Sequence, residues 1–234
     1  MTAESRPVVI VTGGASGIGR ACVDSLAEDG WAVVATDLVA SGEVIRCDVT
    51  DPDEVAGAID RVLEEHGRID GLVNAAGAGW RSEFLSATDE LWTRTLDVNL
   101  MGTVRACRAA LPSIRVSDHP RKGIVNFTSQ AAKTGGLVIG APYSAAKAAV
   151  LCLTKTLAAE FGRDGVRVNA VAPGIIDTAF LDGVPGIRER GPSLPLGRIG
   201  RPDEAASVVA FLMSERASYL TGEIVDVNGG LYMD

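Results

Sequence analysis

The chain has 234 residues, 47% of them hydrophobic and only 5% aromatic, and its 22 basic and 30 acidic side chains give a formal net charge of −8. With no run of like charges and no basic stripe, nucleic acid and anionic membrane are excluded as expected partners. Residues 1–7 are polar and the apolar run behind them is four residues long, too short for a signal-peptide core or a membrane span, so a cytoplasmic protein is expected.

Apolar strand-like runs recur at 8–11, 32–35, 44–45, 72–73, 124–127, 166–171 and 224–227, with helical patterns at 18–29, 53–65, 89–111, 144–162 and 203–213. This alternation predicts an α/β fold: a single Rossmann-like, doubly wound domain over residues 1–234, with about seven parallel strands and helices on both faces. The connection from Asp37 to Glu43 is too short for a helix. Cys22, Cys47, Cys107 and Cys152 lie 25, 60 and 45 residues apart in apolar surroundings, which predicts buried thiols rather than disulfides or zinc ligands. With His66 and His119 the only histidines, no metal site is expected, and His119 falls in a polar connection, 112–123, that reads as exposed.

The first apolar run passes into a glycine turn, Gly13-x-x-x-Gly17-x-Gly19, and then into a helix. Glycine lets a ligand approach the main chain, and the free N–H groups of a helix start attract phosphate. Asp37 stands 18 residues past Gly19, at the end of the second apolar run. A carboxylate there accepts hydrogen bonds from both ribose hydroxyls of an adenosine and repels a 2′-phosphate, which points to NAD over NADP. Ser16 agrees, because the turn offers no basic residue to a third phosphate.

Thr128-Ser129-Gln130 follows the fifth strand, and beyond a glycine-rich loop comes Ala-Pro-Tyr143-Ser-Ala-Ala-Lys147. Pro142 suits a first helical turn. Tyr143 and Lys147 are then one turn apart on the same face. A phenol ionises near pH 10 and becomes a useful base only when a cation stabilises its phenolate, which such a lysine can do.

With these motifs in place the chain resembles the short-chain dehydrogenase/reductases from Val8 to Gly230. The matching residues are Thr12-Gly13-x-x-x-Gly17-Ile18-Gly19, Asp48-Val49, Asn74-Ala75-Ala76-Gly77, Val98-Asn99, Ser129, Tyr143-x-x-x-Lys147, Asn169-x-Val-x-Pro173-Gly174, Thr178, and Tyr219-Leu-Thr-Gly222 through Val227-Asn-Gly229-Gly230. The resemblance implies that Tyr143 exchanges a proton with the substrate oxygen and that Ser129 orients that oxygen. Lys147 would lower the pKa of Tyr143 and hold the nicotinamide ribose, while Asn99 positions a water linked to Lys147. It further implies phosphate contacts at Gly13, Ser16, Gly17, Ile18 and Gly19, and ribose and adenine contacts at Asp37, Leu38, Asp48 and Val49. Asn74, Ala75, Ala76 and Gly77 would form the far side of the cofactor cleft, and Pro173, Gly174, Ile176 and Thr178 the nicotinamide contacts.

The function implied is NAD(H)-dependent interconversion of a secondary alcohol and a ketone. The alternatives are an NADH-dependent 3-oxoacyl reductase of lipid or polyketide type and a non-catalytic dinucleotide sensor. Ser129 precedes Tyr143 by 14 residues, one more than the commonest family spacing, which falls on Gln130. Ser129 is preferred because its hydroxyl both donates and accepts, and the extra residue is expected to bulge the loop at 133–136. Residues 175–200, rich in glycine and proline, are expected to form a mobile lid, with Arg188 and Arg190 on a solvated face. Trp80 and Arg81 are expected to line the pocket, Arg81 pairing with a substrate carboxylate. The helix 144–162, apolar around most of its girth, predicts packing against a second subunit in a homo-oligomer, a tetramer or dimer.

Overall fold

The computed structural model describes residues 6–40, 42–136 and 138–233. The elements run β1 (Val8–Thr12), α1 (Gly17–Glu28), β2 (Ala32–Asp37), β3 (Ile45–Arg46), α2 (Pro52–His66), β4 (Gly71–Asn74), α3 (Asp89–Leu96), α4 (Gly102–Val116), β5 (Gly123–Phe127), α5 (Ala131–Thr134), α6 (Ala141–Phe161), β6 (Arg167–Pro173), α7 (Pro202–Leu212) and β7 (Ile224–Val227). Among the described residues the strands make a seven-stranded sheet in the order β3-β2-β1-β4-β5-β6-β7, every pairing parallel.

The unbroken apolar run of β1 is explained by its two neighbours above and below. Val8 and Ile10 enter a core shared with α2, α4 and the end of α6, while Val9 and Val11 enter one shared with α1 and α7. A strand covered on both faces has no polar alternation. The sheet order reverses between β1 and β4, and the crevice outside the carboxyl ends of the strands opens at that switch. No helix among the described residues is long and apolar enough to cross a membrane.

Several expectations are refined. The helix read over 89–111 is two helices, α3 and α4, joined by a π-helical turn at Asp97–Met101. Where the extra residue after Ser129 is expected to bulge the loop, residues 131–134 wind into the single turn α5, closed by Gly135 in the left-handed region. The segment after β2 carries no helix among its described residues, and Ser41 lies outside them, as do residues 1–5 and 234 at the ends of the expected domain.

Cys22, Cys47 and Cys107 are buried, and burial pushes their thiols up to about 12, 11 and 12. Cys152, by contrast, is exposed on α6. His119 is only partly exposed: its ring packs 6.1 Å from that of Trp31, and burial lowers its pKa.

Two charged clamps tie down the amino-terminal edge of the sheet. Asp70, fully buried just before β4, accepts hydrogen bonds from the Val8 N–H at 2.8 Å, from Arg68 Nε at 2.8 Å and Nη2 at 2.7 Å, and from the Ser117 hydroxyl. Arg167, buried at the start of β6, donates to the carbonyls of Leu212, Ser214 and Ala217, where α7 ends and its dipole is negative.

Burial alone would raise the Asp70 carboxyl, but Arg68, Ser117 and the Val8 N–H outweigh it and hold the group below the usual carboxylate range. A carboxyl depressed in the folded state contributes stability that is present above its unfolded pKa and lost as pH falls through the folded value. We expect Asp70→Ala to lower the unfolding free energy by about 3 kcal/mol at neutral pH, because it removes the buried acceptor of the Val8 N–H, the Ser117 hydroxyl and the partly buried Arg68. The deficit should shrink as the solution is acidified, measured by urea unfolding between neutral and strongly acid pH.

Candidate active site

A cleft of about 1150 Å³ runs along the carboxyl edge of the sheet. At one end lies the glycine turn. Gly13 has a φ of +69°, and a Cβ on it would stand 2.8 Å from the main chain of Ala76; one on Gly19 would stand 2.0 Å from the Gly13 carbonyl oxygen. The turn therefore closes only with hydrogen at both positions. Ser16 caps α1 without a side-chain hydrogen bond. The N–H groups at the start of α1 are thus left to a ligand, and the dipole there favours an anion.

Asp37 ends β2 at the same end of the cleft, its carboxylate accepting from the Ala15 N–H at 3.0 Å and the Val39 N–H at 3.4 Å. Both oxygens keep lone pairs for further donors. Leu38, Asp48 and Val49 complete this end. The Thr50 hydroxyl and N–H hold Asp48 low, at 2.7 and 2.9 Å. Val49 fits against α4 because Gly102 has no Cβ, which would otherwise lie 2.7 Å from Val49 Cγ2. These residues fit a dinucleotide, with a phosphate cradle at a helix start and a carboxylate and apolar wall beyond it.

Across the cleft the structure brings Ser129, Tyr143 and Lys147 together. Pro142 stands in the first turn of α6, which places Tyr143 and Lys147 on its buried face. Lys147 Nζ lies 5.9 Å from the centre of the Tyr143 ring and donates to the Phe127 carbonyl at 2.9 Å. The Thr128 hydroxyl in turn donates to the Lys147 carbonyl at 2.7 Å, so the end of β5 and the first turns of α6 are stitched in both directions. Burial drives the Lys147 ammonium down to about 8. Burial also drives the Tyr143 phenol up to about 12, against the pull of its hydrogen bond with Ser129. Ser129, not Gln130, bonds the phenol; the Gln130 N–H is tied to the Pro173 carbonyl at 3.0 Å.

Asn99 is fully buried in the π-helical turn, its amide donating to the carbonyls of Ala78 at 2.8 Å and Thr95 at 2.9 Å and its oxygen accepting from the Ala78 N–H at 3.3 Å. A Cβ on Gly77 would meet Asn99 Oδ1 at 3.0 Å and Lys147 Nζ at 3.4 Å, so this glycine stands beside both polar groups. Pro173, Gly174, Ile176 and Thr178 line the cleft from β6 onward, with Thr178 Cγ2 3.4 Å from where a Gly17 Cβ would be. Ala75, Ala76 and Gly77 also line it. Asn74 does not: its side chain turns into the protein, donating to Asn126 Oδ1 at 2.8 Å, while Asn126 donates to the Thr154 hydroxyl at 2.9 Å.

The expectation for Arg81 is corrected. Arg81 is exposed and outside the cleft, and the arginine beside Trp80 is Arg94, its guanidinium 4.1 Å from the indole centre and at the cleft wall. Arg190 also reaches the cleft, whereas Arg188 is committed to Asp177 and Asp182. The expected lid has a core of its own, made by Ile175, Leu181, Val184, Ile187 and Leu194. From it Phe180 reaches Tyr143, a contact that no local pattern in the sequence announces.

A sequence family described as enoyl-(acyl carrier protein) reductase matches residues 13–232. The short-chain reductase protein NovJ of Streptomyces niveus is 39% identical, over 95% of this chain and 93% of its own length. The 3-oxoacyl-[acyl-carrier-protein] reductase FabG of Thermotoga maritima is 36% identical, over 96% of this chain and 97% of its own. Among solved structures, the ligand-free aldohexose dehydrogenase of Thermoplasma acidophilum superposes with a TM-score of 0.87 at 37% identity, covering 97% of this chain and 94% of that one. Fold, cleft and relatives agree, and the chain belongs to the short-chain dehydrogenase/reductase family of oxidoreductases, which bind a nicotinamide dinucleotide.

Proposed function

We propose that this protein is an NAD(H)-dependent dehydrogenase that interconverts a secondary alcohol and a ketone, with Tyr143 as its general acid and base. The observation that carries the reading is the convergence of Ser129, Tyr143 and a buried Lys147 at one end of a cleft whose other end holds the glycine turn and Asp37. The bound nicotinamide supplies the acceptor, and in the reverse direction the donor, of the hydride. Tyr143 takes the hydroxyl proton as the alcohol is oxidised and returns it to the carbonyl oxygen on reduction. Ser129 hydrogen-bonds the same oxygen and fixes its distance from the phenol. Lys147 opposes the effect of burial on Tyr143 by placing positive charge one helical turn away. Asn99 holds the π-helical turn against Ala78 and stands with the lysine beside Gly77, in keeping with a water between them.

For the cofactor, Gly13, Ser16, Gly17, Ile18 and Gly19 take the pyrophosphate, Asp37 the adenosine ribose, Leu38, Asp48 and Val49 the adenine, and Pro173, Gly174, Ile176 and Thr178 the nicotinamide. NAD is favoured over NADP because Asp37 places a carboxylate where a 2′-phosphate would sit, and Arg46, opposite it on β3, is paired with Glu54. The chain acts as one unit over 1–234, with 175–200 folded over the substrate. It assembles as a homo-oligomer through the small exposed residues of α6, Ala145, Cys152 and Ala159. The likeness to FabG favours one second reading, an NADH-dependent 3-oxoacyl reductase, distinguished by preference for a 3-oxoacyl thioester over simple ketones.

We expect Tyr143→Phe to lower kcat by about 10²–10⁴-fold, the contribution of general acid–base catalysis, with little change in NADH binding by fluorescence. Asp37→Ala should lower kcat/KM with NAD by about tenfold or more, the worth of a charged hydrogen bond, and lower it less with NADP. Alcohol oxidation should rise with pH as Tyr143 loses its proton, and ketone reduction should fall over the same range. Lys147→Ala removes the opposing charge, so the rising limb in the pH profile of kcat/KM should move to higher pH.

A further inference from the structure

The reacting end of the cleft is closed on one flank by a single aromatic ring. Phe180 lies with its ring centre 5.7 Å from that of Tyr143, the planes inclined at 46°. Behind Phe180 stands Gly79, where a Cβ would lie 2.6 Å from Phe180 Cζ and 3.1 Å from Cε2, with Ile139 Cγ2 at 3.2 Å from the same point. The φ of Gly79 is not in the left-handed region, so the glycine is there for space, not for backbone freedom. The ring is also held along the chain. Arg188 binds the Asp177 carboxylate at 2.8 Å, the Thr178 carbonyl at 2.9 Å and the Asp182 carboxylate at 2.9 Å, on either side of Phe180. Phe180 is 38% exposed and lines the cleft. The cleft is also lined by the aliphatic side chains of Val138, Val184, Ile187 and Leu231, beside Trp80 and Arg94.

We propose that Phe180, seated in the recess left by Gly79, sets the stereochemistry of the reaction: it narrows one flank of Tyr143 so that only a small substituent of the carbonyl carbon fits there. The substrates are then unsymmetrical ketones and secondary alcohols with one small and one larger apolar substituent, presented to the hydride by one face. The inference rests on the reading of Tyr143 as the group that meets the reacting oxygen. Phe180 touches no reacting atom through charge or hydrogen bonding and acts by shape alone, so its removal should change which substrate and which face are accepted. A hydrophobic pocket discriminates an added methylene by about 10–200-fold, which sets the scale of the effect.

The test uses the series acetophenone, propiophenone and butyrophenone. Dissociation constants are read from tryptophan fluorescence with NAD bound, which carries no hydride to give, and the alcohols formed with NADH are resolved by chiral chromatography. In the wild type, binding should weaken by about tenfold or more from methyl to propyl, and one alcohol enantiomer should dominate. Phe180→Ala should flatten the binding series to within about threefold and reduce the enantiomer ratio by about tenfold. Gly79→Ala, which drives the ring toward Tyr143, should weaken butyrophenone binding further, and the Gly79→Ala/Phe180→Ala double variant should return to the behaviour of Phe180→Ala. A Phe180→Ala enzyme with the wild-type slope in binding overturns the proposal, as does one with the wild-type enantiomer ratio. The binding series does not depend on turnover, so the two failures are distinguishable: a Tyr143→Phe enzyme that keeps full activity would defeat the proposed chemistry and the stereochemical claim resting on it, whereas an unchanged binding slope in Phe180→Ala would defeat the role of Phe180 alone.

Discussion

Burying the Lys147 ammonium against the Phe127 carbonyl is the constraint on which the rest of the site depends. An ammonium taken out of water is costly and resists ionisation. Here the Phe127 carbonyl takes one of its hydrogen bonds, and the charge lies one turn from a phenol whose own burial disfavours phenolate. The two groups are perturbed in opposite directions by the same dry environment, and their ionised forms relieve each other. The main chain enforces the pairing: β5 delivers Phe127 and Thr128, and the start of α6 delivers Tyr143 and Lys147, with bonds running both ways between them. A shift of the helix by one residue would break both bonds and carry the charge and the phenol together out of register with β5.

The sheet order explains why such chemistry can be placed so far from the phosphate cradle and still share a ligand with it. The strand order reverses at the β1–β4 pair, with β2 and β3 on one side of it and β5 and β6 on the other. Gly13 and Gly77 let the chain pass there without side chains, the first against Ala76 and the second beside Asn99 and Lys147. Glycine here acts by absence of volume as much as by backbone freedom.

Much of this was legible in the residues. Unbroken β-branched runs identify strands covered on both faces, because no alternation survives when both sides are dry. The i to i+4 spacing of Tyr143 and Lys147 fixes their common face as soon as Pro142 marks the helix start. What was hidden depends on contacts between distant segments. Arg81 follows Trp80 in sequence, yet the loop turns it outward and the indole is met by Arg94 from α3. Asn74 sits at a strand end like its neighbours, but strand alternation sends its side chain to Asn126 while Ala75, Ala76 and Gly77 face the cleft. Cys152 is apolar in its sequence surroundings and exposed in space, on the face of α6 that also leaves Ala145 and Ala159 exposed. Phe180 gives no signal at all until Gly79 is seen beneath it.

The clamps under the sheet differ in a way that bears on how the molecule comes apart. Asp70 holds the β1 and β4 edge through a carboxylate, which acid can neutralise, whereas Arg167 holds the end of α7 through a guanidinium, which keeps its charge across the ordinary pH range. Protons therefore attack one half of the floor and spare the other. Acidification should loosen the first strand while the β6–α7 corner stays knit, so a partly unravelled form of this protein would lose its dinucleotide end before its carboxyl-terminal end.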